Sequence, residues 1–233
     1  VPLNRDFTLN KAAFLKSARR SDIVYICSPN NPTGNQFDRQ TIVEILESLK
    51  NKLVLIDEAY ADFADYSMAD FSTKYTDSSV VVLRTMSKAF GLAGARVGYA
   101  VANERFAGVF RSTIQSPYPV SSLSLEIATT ALAHSGQVKK AIKMVRSERK
   151  RMVDRLAGIK SLKTFRSDAN FIFIDAGDRY GPICKALKKK KVMVKILGPV
   201  AHYKGCMRVT VGTSEMNERF LRCVEEAVWG GRY

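Results

Sequence analysis

Four short strand-like runs in the first half of the chain, at 23–27, 53–56, 80–83 and 96–101, limit the fold more than any other feature. They are strand-sized, and the first three are largely β-branched or Leu. Unbroken apolar runs of this kind suit strands covered on both faces, as in a parallel or mixed sheet. A helical pattern at 39–50 joins the first two, with Ile42, Val43, Ile45, Leu46 and Leu49 on one side and Asp38 placed to cap it. Strand, helix, strand in that order predicts a βαβ unit, and such units build open sheets with helices against them.

After Pro117 and Pro119 the pattern changes. Residues 121–133 read as one helix and 137–156 as a longer, very basic one. Strands are expected at 162–165, 170–174, 192–195 and 207–211, alternating with helical patterns at 180–190 and 214–229. This mixture predicts a smaller α+β domain reached through the long helix. The expected division is a large α/β domain at 1–135, a connecting helix at 136–158 and a small domain at 159–233. No internal repeat or low-complexity segment interrupts it.

Lys and Arg number 37 against 22 Asp and Glu, a net charge of +15. Such a balance raises a nucleic-acid or acidic-membrane surface as one class of function. The basic residues are dispersed, however, and the one unbroken run, 188–191, ends a helical pattern, where cations favour the helix dipole. With no aromatic or glycine-rich RNA signature, the expectation is a basic protein without a nucleic-acid partner, or part of a protein whose acidic portion lies elsewhere. The longest apolar runs are far too short to cross a membrane. Arg5 and Asp6 break the opening apolar residues, so no signal peptide is expected; a cytoplasmic setting follows, and Val1 in place of Met suggests sequence upstream. Cys27, Cys184, Cys206 and Cys223 show no zinc spacing and read as reduced thiols. His134 and His202 have no metal-binding context either.

The strand ends carry the chemistry. Open α/β sheets bind ligands at the carboxyl ends of their strands, and three ends are polar: 28–34 (SPNNPTG), 57–60 (DEAY) and 84–88 (RTMSK). Each alone is ordinary turn punctuation. Together they offer a carboxylate, an amide, a phenol, hydroxyls and a lysine, followed by small residues and Arg96. A lysine held in such a site can act as nucleophile or base, and this donor set is what pyridoxal phosphate requires.

SPNNPTG, IDEAY, RTMSKAFGLAGARVGY, DANFIFI and MRVTVGT stand in the order found in the fold-type I pyridoxal-phosphate aminotransferases, which the chain resembles over nearly its whole length. Within that group it is most similar to the histidinol-phosphate aminotransferases, through SKAFGLAGARVGY and the opening VPLNRDF. The resemblance implies the fold-type I architecture: a large domain with a mostly parallel sheet and a smaller α+β C-terminal domain. It implies that Lys88 holds pyridoxal 5'-phosphate as a Schiff base and then shuttles a proton. Asp57 would pair with the pyridine nitrogen, and Asn31 and Tyr60 with the ring oxygen. Thr85, Ser87 and Arg96 would bind the phosphate. Arg208 would grip the substrate carboxylate, with Asn170 near the substrate. Lys195 stands where these enzymes usually place an arginine for the substrate's distal phosphate; an ammonium can bind phosphate, but without the planar fork. The resemblance also implies that the family's N-terminal part has no counterpart here.

The implied activity is amino transfer between histidinol phosphate and 2-oxoglutarate in histidine biosynthesis, by a homodimer acting on small amino and 2-oxo acids. An aromatic amino acid aminotransferase and a threonine-phosphate decarboxylase share Lys88, Asp57 and Asn31 and remain open at this stage. So do two readings of another class, a basic nucleic-acid-binding module and a folded but inactive fragment.

Overall fold

Strands Ile23–Cys27 (β1), Leu53–Asp57 (β2) and Ser79–Thr85 (β3) run parallel, and Gly98–Val101 (β4) pairs antiparallel with β3, in the order β1-β2-β3-β4. The computed structural model describes residues 1–74 and 79–230. Those residues divide into two units, one of Val1–Asn4, Thr8–Asn30 and Gln36–Ile142, the other of Arg5–Phe7, Asn31–Asn35 and Lys143–Tyr233.

In the first unit, alternate residues of three strands (Val24 and Ile26, Val54 and Ile56, Val80 and Val82) point to one face and are at most 5% exposed. Helices Lys11–Ala18 (α1), Arg39–Ser48 (α2) and Ala69–Lys74 (α3) cover that face, with Ile42, Ile45, Leu46 and Phe71 in its core. Asp38 caps α2 as expected, its side chain accepting the Thr41 N–H at 2.7 Å. On the opposite face Ile23 and Tyr25 of β1 are 58% and 53% exposed, while Val81 of β3 is buried. The three helices lie on one side. On the other, Glu104–Val109 (α4) and its π-helical continuation Phe110–Ile114 line a cleft of about 550 Å³ with Leu55, Val81, Leu83 and Tyr99. Helix Ser122–Ala133 (α5) starts one residue later than expected because Ser121 is its cap, accepting the Ser124 N–H at 3.1 Å.

The fourth strand also starts later than expected, at Gly98 instead of residue 96. A Cβ at position 98 would sit 2.9 Å from the Arg84 carbonyl oxygen, so the close pairing with β3 begins at a glycine. Arg96 is left outside the strand in a left-handed conformation, φ +56°.

Helix Ser135–Ala157 (α6) runs on from the first unit into the second. The second unit's sheet is antiparallel, in the order β5-β6-β8-β7, from Lys163–Thr164 (β5), Phe171–Asp175 (β6), Lys195–Val200 (β7) and Tyr203–Thr210 (β8). Helices Tyr180–Lys189 (α7) and Ser214–Trp229 (α8) pack on it with Met152 and Leu156 of α6, around Ile172, Ile174, Phe220 and Leu221. The strand expected at 192–195 is displaced to Lys195–Val200. The Val192 N–H is spent on the Leu187 carbonyl at the end of α7 (2.9 Å), and Val192 and Val194 turn into the core.

Two of the basic residues of α6, Arg151 and Arg155, pair with α8. Arg155 grips Glu225 with two bonds of 2.6 and 2.7 Å and reaches Glu218 at 2.7 Å, and Arg151 bridges Glu148 and Glu218. Glu148 is held down to about 2, first by Arg151 and then by the Asn217 side chain. Its carboxylate therefore stabilises the fold above the ordinary glutamate range, a contribution lost as pH falls through about 2. Urea unfolding of Glu148→Gln and the parent at pH 7 and at pH 2 checks this: the variant is less stable at pH 7, and the gap closes at pH 2. A gap that is unchanged at pH 2 contradicts it.

Candidate functional site

The parallel register levels the strand ends of the first unit: Cys27 pairs with Asp57, and Asp57 with Leu83. Asp57, the last residue of β2, accepts the Ala59 N–H on Oδ1 at 2.9 Å and the Tyr25 phenol on Oδ2. Its neighbour Glu58 turns the other way and is 1% exposed. Glu58 accepts from the Met68 N–H at 2.6 Å, from Ser67 Oγ at 2.5 Å and from Arg84 Nη1 at 3.1 Å. Arg84 also holds Asp62 at 2.5 Å. Burial alone would push the Arg84 guanidinium down, but Asp62, Tyr99 and Glu58 outweigh it and hold it above its ordinary value. This buried network ties the end of β2 to the end of β3, one residue from Asp57 on one strand and one from Thr85 on the other.

Beyond β3 the chain makes a closed loop. Met86, 2% exposed, anchors it against Val97 and Ala128. The Leu92 N–H returns to the Met86 carbonyl at 3.0 Å, and the Gly91 N–H to the Lys88 carbonyl at 3.1 Å. Gly91 sits at φ +69°, a conformation glycine adopts without penalty. Lys88 is exposed on this loop, with its Nζ 5.2 Å from the centroid of the buried Tyr60 ring, in cation–π contact. Thr85 Oγ1 donates to Ser87 Oγ at 2.9 Å and accepts the Ser87 N–H at 3.1 Å, so the two hydroxyls form one cluster. Arg96 is exposed, one guanidinium nitrogen donating to the Ala93 carbonyl at 3.1 Å.

The remaining expected residues belong to the second unit. Gly34 of the NPTG turn has φ +86°, and a Cβ there would lie 2.7 Å from Ser167 Oγ. Its carbonyl accepts the Asp168 N–H at 2.7 Å, so NPTG is stitched to the DANF segment and is more than a turn. Asn31 Oδ1 accepts from Arg208 Nη1 at 2.5 Å, and the Arg208 guanidinium lies 4.7 Å from the centroid of the Phe171 ring. Lys195 is the register partner of Arg208 across β7 and β8. Two like charges opposite one another in a sheet repel. The Asn170 carbonyl accepts the Val211 N–H at 2.9 Å.

Sequence reasoning missed Tyr25, the Glu58–Arg84 network and Phe171. For Tyr25 the signal was its position two residues before a strand end. For Arg84 it was a charge inside an otherwise apolar strand.

The first unit's donor set suits pyridoxal phosphate chemically: an amine on Lys88 for an aldehyde, the Thr85–Ser87 hydroxyl cluster and Arg96 for a phosphate, and the Asp57 carboxylate for a basic ring nitrogen. Among the described residues no cluster of three or more His, Cys, Asp or Glu could hold a metal ion, and no helix is long and apolar enough to cross a membrane.

Residues 1–224 match the family described as aminotransferase class I and II. The chain is 35% identical over 221 residues to a histidinol-phosphate aminotransferase of Ruminiclostridium cellulolyticum, covering 94% of this chain and 60% of that protein. It is 38% identical over 229 residues to the enzyme of the same name from Neisseria meningitidis serogroup B, covering 97% and 61%. The chain thus spans less than two thirds of these relatives. The crystal structure of histidinol-phosphate aminotransferase from Sinorhizobium meliloti in complex with pyridoxal-5'-phosphate superposes with a TM-score of 0.84 at 24% identity, covering 99% of this chain and 64% of that one.

The buried network is testable apart from any activity. Arg84→Met leaves Glu58 and Asp62 without their cation and is expected to cost about 3–5 kcal/mol in urea unfolding. Adding Glu58→Gln is expected to recover part of that loss. A loss below about 1 kcal/mol contradicts a structural role for the pair.

Proposed function

We propose that this chain, which belongs to the aminotransferase class I and II family, acts in a pyridoxal-phosphate aminotransferase that moves an amino group between histidinol phosphate and 2-oxoglutarate. Its fold is fold type I of the pyridoxal-phosphate-dependent transferases. The observation that carries the reading is the grouping on adjacent strand ends: Asp57 closing β2, Thr85 closing β3, and Ser87 and Lys88 on the loop that follows.

When bound, pyridoxal phosphate supplies the electron sink that lets a bond break at the carbon bearing the substrate's amino group. The chain's own residues do the rest. Lys88 Nζ would hold the cofactor aldehyde, and its amine would serve as general base and acid. Asp57 holds a proton at the ring nitrogen and so keeps the ring electron-poor. Tyr60 and Asn31 donate to the ring oxygen. Thr85, Ser87 and Arg96 bind the phosphate, with Arg96 adding charge-assisted bonds. Arg208 takes the carboxylate of glutamate or 2-oxoglutarate through its planar fork, oriented by Asn31 and by the Phe171 ring. Lys195, its cross-strand partner, takes the distal phosphate, and Asn170 stands near the substrate. A homodimer working in the cytoplasm completes the reading.

With pyridoxal phosphate added, the chain is expected to develop a visible absorbance band that Lys88→Ala lacks, and histidinol phosphate is expected to bleach it. Unphosphorylated histidinol is expected to react more than about tenfold less efficiently. Identical spectra for the two proteins contradict the cofactor assignment; equal rates for the two amines contradict the substrate assignment.

A further inference from the structure

Tyr25 takes no part in the roles assigned above, yet its phenol touches Asp57. In the parallel register Tyr25 lies opposite Leu55, and Asp57 is two residues further along β2 on the same face. That diagonal is within reach of an aromatic side chain. The Tyr25 hydroxyl donates to Asp57 Oδ2 while the Ala59 N–H, at 2.9 Å, holds Oδ1. Each carboxylate oxygen is thus fixed by one donor and keeps a second lone pair for another.

We propose that Tyr25 is a positioning residue for Asp57, fixing the carboxylate's rotation and sharing its negative charge so that it meets the cofactor's ring nitrogen pre-oriented; this rests on the function proposed above. The shared charge matters as much as the aim. A carboxylate that already accepts a phenol draws less strongly on a ring N–H, so the phenol sets how electron-poor the ring becomes. The phenol itself is held above its ordinary range, first by partial burial and then by Asp57, with a smaller contribution from Cys27. It therefore stays a donor through the neutral range.

The test has a cofactor-free arm and a cofactor arm, both on the full chain. Without cofactor, thermal unfolding of Tyr25→Phe, Asp57→Asn and the double variant is compared with the parent. The expected result is that the double variant melts no lower than the worse single variant, as for two groups that share one bond. Strictly additive shifts overturn the pairing. With pyridoxal phosphate, Tyr25→Phe is expected to weaken binding by about three- to tenfold, the scale of one lost hydrogen bond. It is also expected to move the pH midpoint of the bound cofactor's absorbance to lower pH, because the unshared carboxylate holds the ring proton more firmly and leaves the ring more electron-poor. A purely packing role for Tyr25 leaves that midpoint in place. If the parent binds and the variant matches it in affinity and midpoint, the positioning role is overturned while the proposed function stands. If the parent binds no cofactor, the proposed function falls, and the role given to Tyr25 falls with it.

Discussion

The in-register pairing of β1, β2 and β3 is the constraint on which the first unit depends. Parallel strands that end level bring residues far apart in sequence to one rim, and here that rim carries Asp57, Thr85 and the loop with Lys88. The pairing alone would leave strand ends free to fray. The Glu58–Arg84–Asp62 network prevents this from beneath, and the Met86 anchor holds the loop. A buried ion pair of this kind is expensive to assemble and destructive to break, which makes it better suited to fixing geometry than to adding stability.

The second unit solves a different problem. Its sheet is antiparallel, and on β8 Arg208 is oriented by an amide and an aromatic face. The charge that gives the sequence its basic character is partly internal bookkeeping, since Arg151 and Arg155 on α6 meet Glu218 and Glu225 on α8. Segments 5–7 and 31–35 also belong to this unit. Phe7 packs in an aromatic cluster with Phe165, Phe173 and Tyr203, and the Asn35 side chain donates to the Phe7 carbonyl at 2.9 Å.

Much of this was legible in the sequence where local chemistry decides the structure. The runs at 23–27, 53–56 and 80–83 became strands, Asp38 capped its helix, and 214–229 became α8. Asn10 and Asn103 cap α1 and α4, but the helices behind them are short and weakly patterned, so the caps stand out little in the sequence. Where tertiary contacts decide, the reading slipped: Val192 and Val194 look like strand residues but serve the end of α7 and the core, and Arg96 looks like a strand start but is excluded by the close approach at Gly98. The motifs pointed to the candidate site residues, while the supporting contacts of Tyr25, Arg84 and Phe171 depend on strand register, which no local pattern encodes.

The central claim is that one amine among the chain's many lysines is chemically singled out. Borohydride reduction of the chain incubated with pyridoxal phosphate, followed by peptide mass spectrometry, measures this directly. The account predicts a single dominant pyridoxyl adduct, on Lys88. Label spread over the exposed lysines of 188–191, with Lys88 no more modified than they are, would contradict it.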